Sequence, residues 1–317
     1  MKQRLFIQSE GKNITLAEMF EKFILFKKMN NVSTETVTYY ENCFKFFGWF
    51  YDTGLPCDTV TQDIYYGYVQ HLQKKDIKAI TINTYLHGIR VILYYAMELG
   101  YVKQFRISLI KAEKELKETY TDHELDLLLK KPDTNKCSFA EYRSWVIVNY
   151  LLATGNRLST MTHVKNCDVD YEAYLIRLTK TKNRKQQIIP LSTALARILK
   201  EYQVYRKGSL DDYLFCSNYG EQMNKESVGS AIARYNKIRG VSKTSIHLFR
   251  HTFAKKWILN GGDIFRLQRI LGHSSLDIVK EYVNMFGTDL QQQFDEFNPL
   301  DNMAKNGNEN RRYIKLP

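Results

Sequence analysis

Apolar residues recur along the first hundred positions at the three-to-four-residue spacing of helices that bury one face. Leu16, Met19, Phe20, Phe23 and Ile24 form one such stripe. Val37, Tyr40, Phe44, Phe47 and Tyr51 form a second, with Ser33 placed to cap it. A third centres on Ile64, Tyr68, Val69 and Leu72. A fourth carries Ile82, Tyr85, Leu86, Ile89, Leu93 and Met97, then stops at Gly100, a residue suited to a helix end. Four such helices can close a small core, so residues 1–104 are expected to form a helical domain. The apolar face then fades into KAEKELKETY, and residues 105–120 read as a charged linker.

The pattern changes in the second half. Helices are expected over 122–130 and 139–153, the latter apolar on most sides through Trp145, Val146, Val148, Leu151 and Leu152. YLIRLTKTKNRKQQIIPL reads as a hairpin, with strands 173–179 and 186–190 flanking a turn rich in Lys, Asn and Arg. Helical patterns resume at 192–206, 226–239, 246–260, 263–271 and 275–285. Residues 121–296 are therefore expected to be a second domain, and 297–317, which lack periodicity, a tail. The fold class is mainly α with a small β-hairpin or sheet (α+β).

Composition narrows the function. A chain of 317 residues fits two domains at about 150 residues each. With 44% hydrophobic and 25% charged residues it is not a disordered polymer. No apolar run reaches the roughly 20 residues of a membrane span, and MKQRLFIQSEGKN turns polar too early for a signal peptide. A cytoplasmic protein without a membrane partner is expected. Lys and Arg number 46 against 34 acidic residues, a surplus of 12 that favours a polyanion, most commonly nucleic acid, although solubility alone also accounts for it. The basic residues are spread along the chain, unlike the clustered tract a lipid surface reads. The five cysteines are odd in number and lack any C-x-x-C pair, which argues against disulfides and zinc. Cys43, Cys57, Cys137, Cys167 and Cys216 are read as small core residues.

The candidate chemistry lies in SIHLFRHTFAKKWILNGGDIFRLQRILGHSSLDIVKEYVNM. His247 and Arg250, three apart, share a helix face. They follow Thr244 and Ser245, where a helix N-terminus favours an anion. His273 sits in Leu-Gly-His ahead of Ser274 and Ser275, which can cap the next helix, and Tyr282 lies on that helix. His251, next to Arg250, reads as a structural hydrogen-bonder. Each residue alone has an ordinary explanation as surface charge, packed ring or satisfied histidine. Their ordered combination does not.

That combination resembles the catalytic domain of the tyrosine recombinases, the phage-integrase family of site-specific DNA recombinases. The family's arginine after a T-G turn, hairpin lysine, H-x-x-R, L-G-H and tyrosine stand here in order. They read as Ala153-Thr154-Gly155-Asn156-Arg157, a lysine of the hairpin, His247-Leu248-Phe249-Arg250, Leu271-Gly272-His273 and Tyr282. The N-terminal helices resemble the family's core-binding, SAM-like domain, so the likeness covers nearly the whole chain. Counting eight back from Pro190, as the family's pattern suggests, selects Lys182 as the catalytic lysine, with Lys180 as runner-up. Asn156 stands where the family often has Leu or Met, and Thr160 where it often has an acidic residue. The second departure leaves open how Arg157 is braced.

The resemblance implies a C-shaped clamp on double-stranded DNA at inverted repeats. It further implies a homotetramer on DNA that is a monomer or weak oligomer when free, and neither metal nor other cofactor. Tyr282 would attack a phosphodiester, giving a 3′-phosphotyrosyl link that a 5′ hydroxyl can reverse. Lys182 would protonate the leaving oxygen, Arg157 and Arg250 would hold the non-bridging oxygens, and His247 and His273 would assist. Such assistance is needed, because a free phenol with a pKa of about 10 is only about one part in a thousand ionised at pH 7. Lys74, Lys75, Lys78, Arg184, Lys185, Arg234 and Lys237 are candidate DNA contacts, and the tail is expected to dock on a neighbouring subunit. A mobile element would be integrated, excised or resolved. The competing readings are relaxation of the type IB topoisomerase kind, or a DNA-binding regulator without catalysis.

Overall fold

The computed structural model describes residues 14–113, 118–181, 186–273, 275–286 and 298–299. The chain divides into two compact units, 1–115 and 116–317.

The first unit is built of α1 (Leu16–Met29), α2 (Thr34–Gly48), α3 (Gln62–Gln73) and α4 (Ala79–Glu98). Helix starts follow local chemistry. Thr15 and Glu18 form a reciprocal capping box, and Ser33 and Thr61 accept from Thr36 N–H and Ile64 N–H. The expected apolar stripes converge on one core of Leu16, Met19, Phe23, Phe47, Tyr68, Leu86, Ile89 and Leu93, among others. Close approach of α2 and α4 depends on Gly88, where a Cβ would stand 2.4 Å from Cys43 Sγ. Residues 105–110, expected as linker, belong to this unit. Ile107 is buried in its core, Asn83 exchanges two hydrogen bonds with the Ile110 backbone (3.1 and 2.9 Å), and Tyr65 donates to Ser108 O (2.6 Å). The four apolar residues Phe105, Ile107, Leu109 and Ile110 explain this, since their burial outweighs the charged run that follows.

The second unit comprises α5 (Asp122–Leu129), α6 (Phe139–Thr154), α7 (Leu158–Met161), α8 (Thr193–Arg206), α9 (Lys225–Ile238), α10 (His247–Leu259), α11 (Ile264–Leu271) and α12 (Asp277–Phe286). A three-stranded antiparallel sheet runs β1 (Val169–Asp170), β2 (Leu175–Leu178) and β3 (Gln187–Pro190) in that order. Helix α6 is central and buried along its length, touching α5, α8, α9 and α10. The β2–β3 pairing sets Ile176 opposite Ile189, both buried, and Arg177 opposite Ile188, both exposed. Tyr120, also placed in the expected linker, is core here: its N–H donates to Thr252 Oγ1 (2.9 Å) and Asn236 Nδ2 donates to its hydroxyl (2.9 Å). All five cysteines are free, but Cys167 is exposed rather than a core residue. It occupies the outward position of a one-turn helix whose neighbours Asn166 and Asp168 turn inward. Among the described residues no helix is long and apolar enough to cross a membrane.

Candidate active site

Four segments of the second unit bring their ends to one place. Helix α6 stops at Gly155, which is left-handed (φ 60°), and Arg157 follows as the residue before α7. A Cβ at Gly155 would lie 2.6 Å from Phe253 Cδ1 and 2.8 Å from Leu271 Cδ2, so both backbone conformation and space demand glycine. Arg250 projects from α10. Helix α11 ends at Gly272, also left-handed (φ 62°), and the turn delivers His273; α12 then carries Tyr282.

Arg250 is almost fully buried. Its Nη1 donates to Gly155 O and its Nη2 to Leu271 O, each at 2.8 Å, and Nη2 also donates to His273 Nε2. An accepting Nε2 leaves the His273 ring proton on Nδ1. Arg157 Nη1 reaches Leu271 O at 3.4 Å. The carbonyls that hold both guanidiniums lie at the C-terminal ends of α6 and α11, the negative ends of those helices. This is how the arginines are braced with Thr160 in place of a carboxylate. Among the described residues neither arginine forms an ion pair with an acidic side chain. Burial and the neighbouring Arg157 push the Arg250 pKa down to about 10, and burial lowers that of Arg157. Two forks of donors, mutually repelling and held by carbonyls and His273, are suited to an oxyanion with two free oxygens. Asn156 serves the turn rather than the arginines, since its Nδ2 donates to the Tyr150 hydroxyl (2.9 Å) and ties the turn to α6.

Tyr282 is only 2% exposed and packs with Ala254, Leu267, Leu271 and Val279. Burial raises its pKa, while Arg250 and Arg157 pull it down. The phenol is therefore neutral near pH 7 and has two cations beside it. Its hydroxyl lies 2.7 Å from His251 Nδ1.

Arg157, Arg250, His273 and Tyr282 are thus brought together, as the sequence suggested. His247 stands exposed at the first position of α10. No side chain caps the start of α10. The residue before the helix is Ile246, already helical (φ −63°, ψ −30°), and Ser245 contributes its carbonyl to Leu248 N–H instead. Lys182, Arg184, Lys185 and Ser274 lie outside the described residues, and Lys180 is exposed beyond β2. Lys74, Lys78, Arg234 and Lys237 are exposed, whereas Lys75 sits over the rings of Trp49 (5.5 Å) and Phe46 (5.8 Å).

Two residues that the sequence pattern did not place at the site do stand there. His251 shares a face of α10 with Ala254 and Ile258, at the i, i+3 and i+7 positions of a stripe packed in the same cluster as Tyr282. That spacing was the available signal. Gln187, the first residue of β3, donates through Nε2 to Ile270 O (2.9 Å) and Arg269 O, and so caps α11 just before His273. No sequence signal marks it, since the pairing spans more than eighty residues. Among the described residues no group of three or more His, Cys, Asp or Glu side chains is placed to hold a metal ion.

Most of the chain matches known proteins. Residues 118–287 fit the model of the phage integrase family, and residues 15–112 that of the phage integrase SAM-like domain. Tyrosine recombinase XerC of Chlamydia caviae is 25% identical over 256 residues, covering 78% of this chain and 81% of the relative. Tyrosine recombinase XerD of Staphylococcus haemolyticus is 27% identical over 231 residues, covering 70% and 77%. The Tn1549 transposon integrase in complex with a circular intermediate DNA superposes with a TM-score of 0.71 at 20% identity, covering 89% of this chain and 98% of that one. A lambda integrase dimer bound to a core site gives 0.67 at 16%, covering 84% and 97%. The chain belongs to the phage integrase family and is a tyrosine recombinase, an enzyme of site-specific DNA recombination.

Proposed function

We propose that this recombinase cleaves and rejoins double-stranded DNA at paired inverted repeats by attack of Tyr282 on a backbone phosphate. The convergence of Arg157 and Arg250 on the Tyr282 phenol, with His273 against Arg250, carries this reading. In the attack the bond from Tyr282 Oη to phosphorus forms and the bond from phosphorus to the 5′ oxygen breaks. The non-bridging oxygens gain charge in the transition state. Fixed guanidinium donors act where that charge grows, in a site that already excludes water from Arg250. Lys182 is the proposed donor of a proton to the leaving 5′ oxygen, and His273 a further donor to the phosphate. The phosphotyrosyl bond conserves the energy of the diester, so a 5′ hydroxyl from another strand reverses the step.

Strand exchange between two sites calls for four protomers. Assembly of a tetramer on DNA, with the 297–317 tail docking on a neighbour, belongs to the same proposal, as do integration, excision or resolution of a mobile element. The test needs no knowledge of the site. Protein is incubated with total DNA of its source and trapped with denaturant, and the covalently held DNA is sequenced with Tyr282→Phe as control. Enrichment at a short inverted repeat, lost in the variant, is expected. Capture spread evenly over the DNA would instead mark a relaxing enzyme, and no capture above the control would overturn the proposal.

A further inference from the structure

The Tyr282 phenol is buried and neutral, yet it must lose its proton as the bond to phosphorus forms. The two arginines beside it stabilise negative charge but have no lone pair with which to accept a proton. A group in contact with the hydroxyl that can do so is the His251 imidazole, with Nδ1 2.7 Å from Oη. The ring centroids are 5.6 Å apart and the planes inclined by 47°, so the rings meet edge to edge around that contact rather than stacking. His251 is half-buried, close enough to Tyr282 to be fixed and open enough to exchange its proton with solvent. A neutral phenol donates to Nδ1 when the imidazole carries its own proton on Nε2.

Resting on the reading of Tyr282 as nucleophile, we propose that His251 is the catalytic base that takes the Tyr282 proton during cleavage. The family resemblance left open whether His247 helps to move this proton or positions the phosphate; here the proton falls to His251. As Oη attacks, its proton passes to Nδ1 and the imidazole becomes imidazolium. The Oη–P bond forms, and the P–O5′ bond breaks with its electron pair on the 5′ oxygen, which takes a proton from Lys182. On rejoining, a 5′ hydroxyl attacks phosphorus and gives its proton back to Lys182, the P–Oη bond breaks with its electron pair on Oη, and His251 returns the proton to the phenolate. The imidazolium forms near two guanidiniums, but only while the negative phosphodiester lies between them. Glu281, which also bears on Tyr282, adds one more negative charge on the α12 side. Base catalysis is thereby tied to the DNA-bound enzyme, where the phosphodiester balances the two guanidiniums.

The experiment uses full-length protein and a nicked duplex carrying the captured site, from which the cleaved fragment diffuses away. Covalent complex is counted on denaturing gels in single turnover, and binding is measured separately by filter retention. Wild type forming no complex would reject Tyr282 as nucleophile before His251 is in question. Given a wild-type rate, His251→Ala and His251→Asn should each cleave on the order of 10²–10⁴-fold more slowly with binding unchanged. Free imidazole should restore part of the Ala variant's rate. A bridging 5′-phosphorothiolate, whose leaving sulfur needs no proton, should rescue Lys182→Ala and leave His251→Ala slow. Asn supplies an acceptor oxygen but cannot keep a proton at neutral pH. Wild-type speed in His251→Asn would reduce His251 to a positioning residue, and equal or faster cleavage in His251→Ala would make it a latch. Either overturns the proposal. Should the Ala variant fail to bind DNA through misfolding, the Asn variant decides.

Discussion

Arg157 and Arg250 differ in what they do for the DNA-free protein. Arg250 satisfies two buried carbonyls, those of Gly155 and Leu271, whereas Arg157 makes one long contact and repels its neighbour. Replacing Arg250 with Ala strands the Gly155 carbonyl at about 1–3 kcal/mol and leaves that of Leu271 with only the long Arg157 contact, so its melting temperature should fall clearly. Arg157→Ala removes a like charge and should melt no lower than wild type. Both should cleave on the order of 10²–10³-fold more slowly. The sign of the Arg250 shift gives a companion test. A base whose folded pKa lies below its ordinary value opposes folding while charged. The penalty is full below about 10 and fades as pH rises from there toward the ordinary guanidinium value. An anion between the arginines relieves it, so inorganic phosphate should raise the melting temperature of wild type more than that of Arg157→Ala. At this scale the motif residues were legible because each is a distinctive type at a set spacing. His251 was not, because the same helix face serves both packing and chemistry.

Elements that end at the site depend on two left-handed glycines and one glutamine. Gly155→Ala forces an alanine into φ 60° against Phe253 and Leu271. The left-handed conformation costs about 1–2 kcal/mol and the overpacking a further 1–3, so a drop of several degrees in melting temperature is expected. Gln187 joins β3 to the end of α11 and so links the strand following Lys182 to the turn bearing His273. Gln187→Ala should slow cleavage by up to about 10²-fold through misplacement, with DNA binding retained. Gln187→Glu should be worse than Ala, because a carboxylate would meet the carbonyls at the negative end of α11. Comparing single-turnover rates of the two variants checks this, and a Glu variant as fast as wild type would remove Gln187 from the site. Long helices were legible from their apolar period. The four-residue α7 and two-residue β1 were not, since neither completes a period and each exists through its contacts with the rest of the unit.

At the scale of the whole molecule, division of labour follows from the cores. The first unit closes its own core, extended by residues 105–110, and every residue of the site belongs to the second. The charge surplus of 12 is carried by basic residues throughout the chain, so both units are expected to touch phosphates. Residues 116–317 expressed alone should therefore fold and should form the covalent Tyr282 complex at near the full-length rate once DNA is saturating. Their affinity should be much weaker, and log affinity should fall less steeply with log salt, because fewer phosphates are neutralised. Titrations at several salt concentrations, followed by single-turnover cleavage at saturation, separate the two effects. A second unit that binds as tightly as the full chain would deny the first unit a role on DNA. One that binds but cannot cleave even at saturation would mean that the SAM-like domain completes the chemistry, contrary to a site whose arginines, histidines and tyrosine hold one another within a single unit.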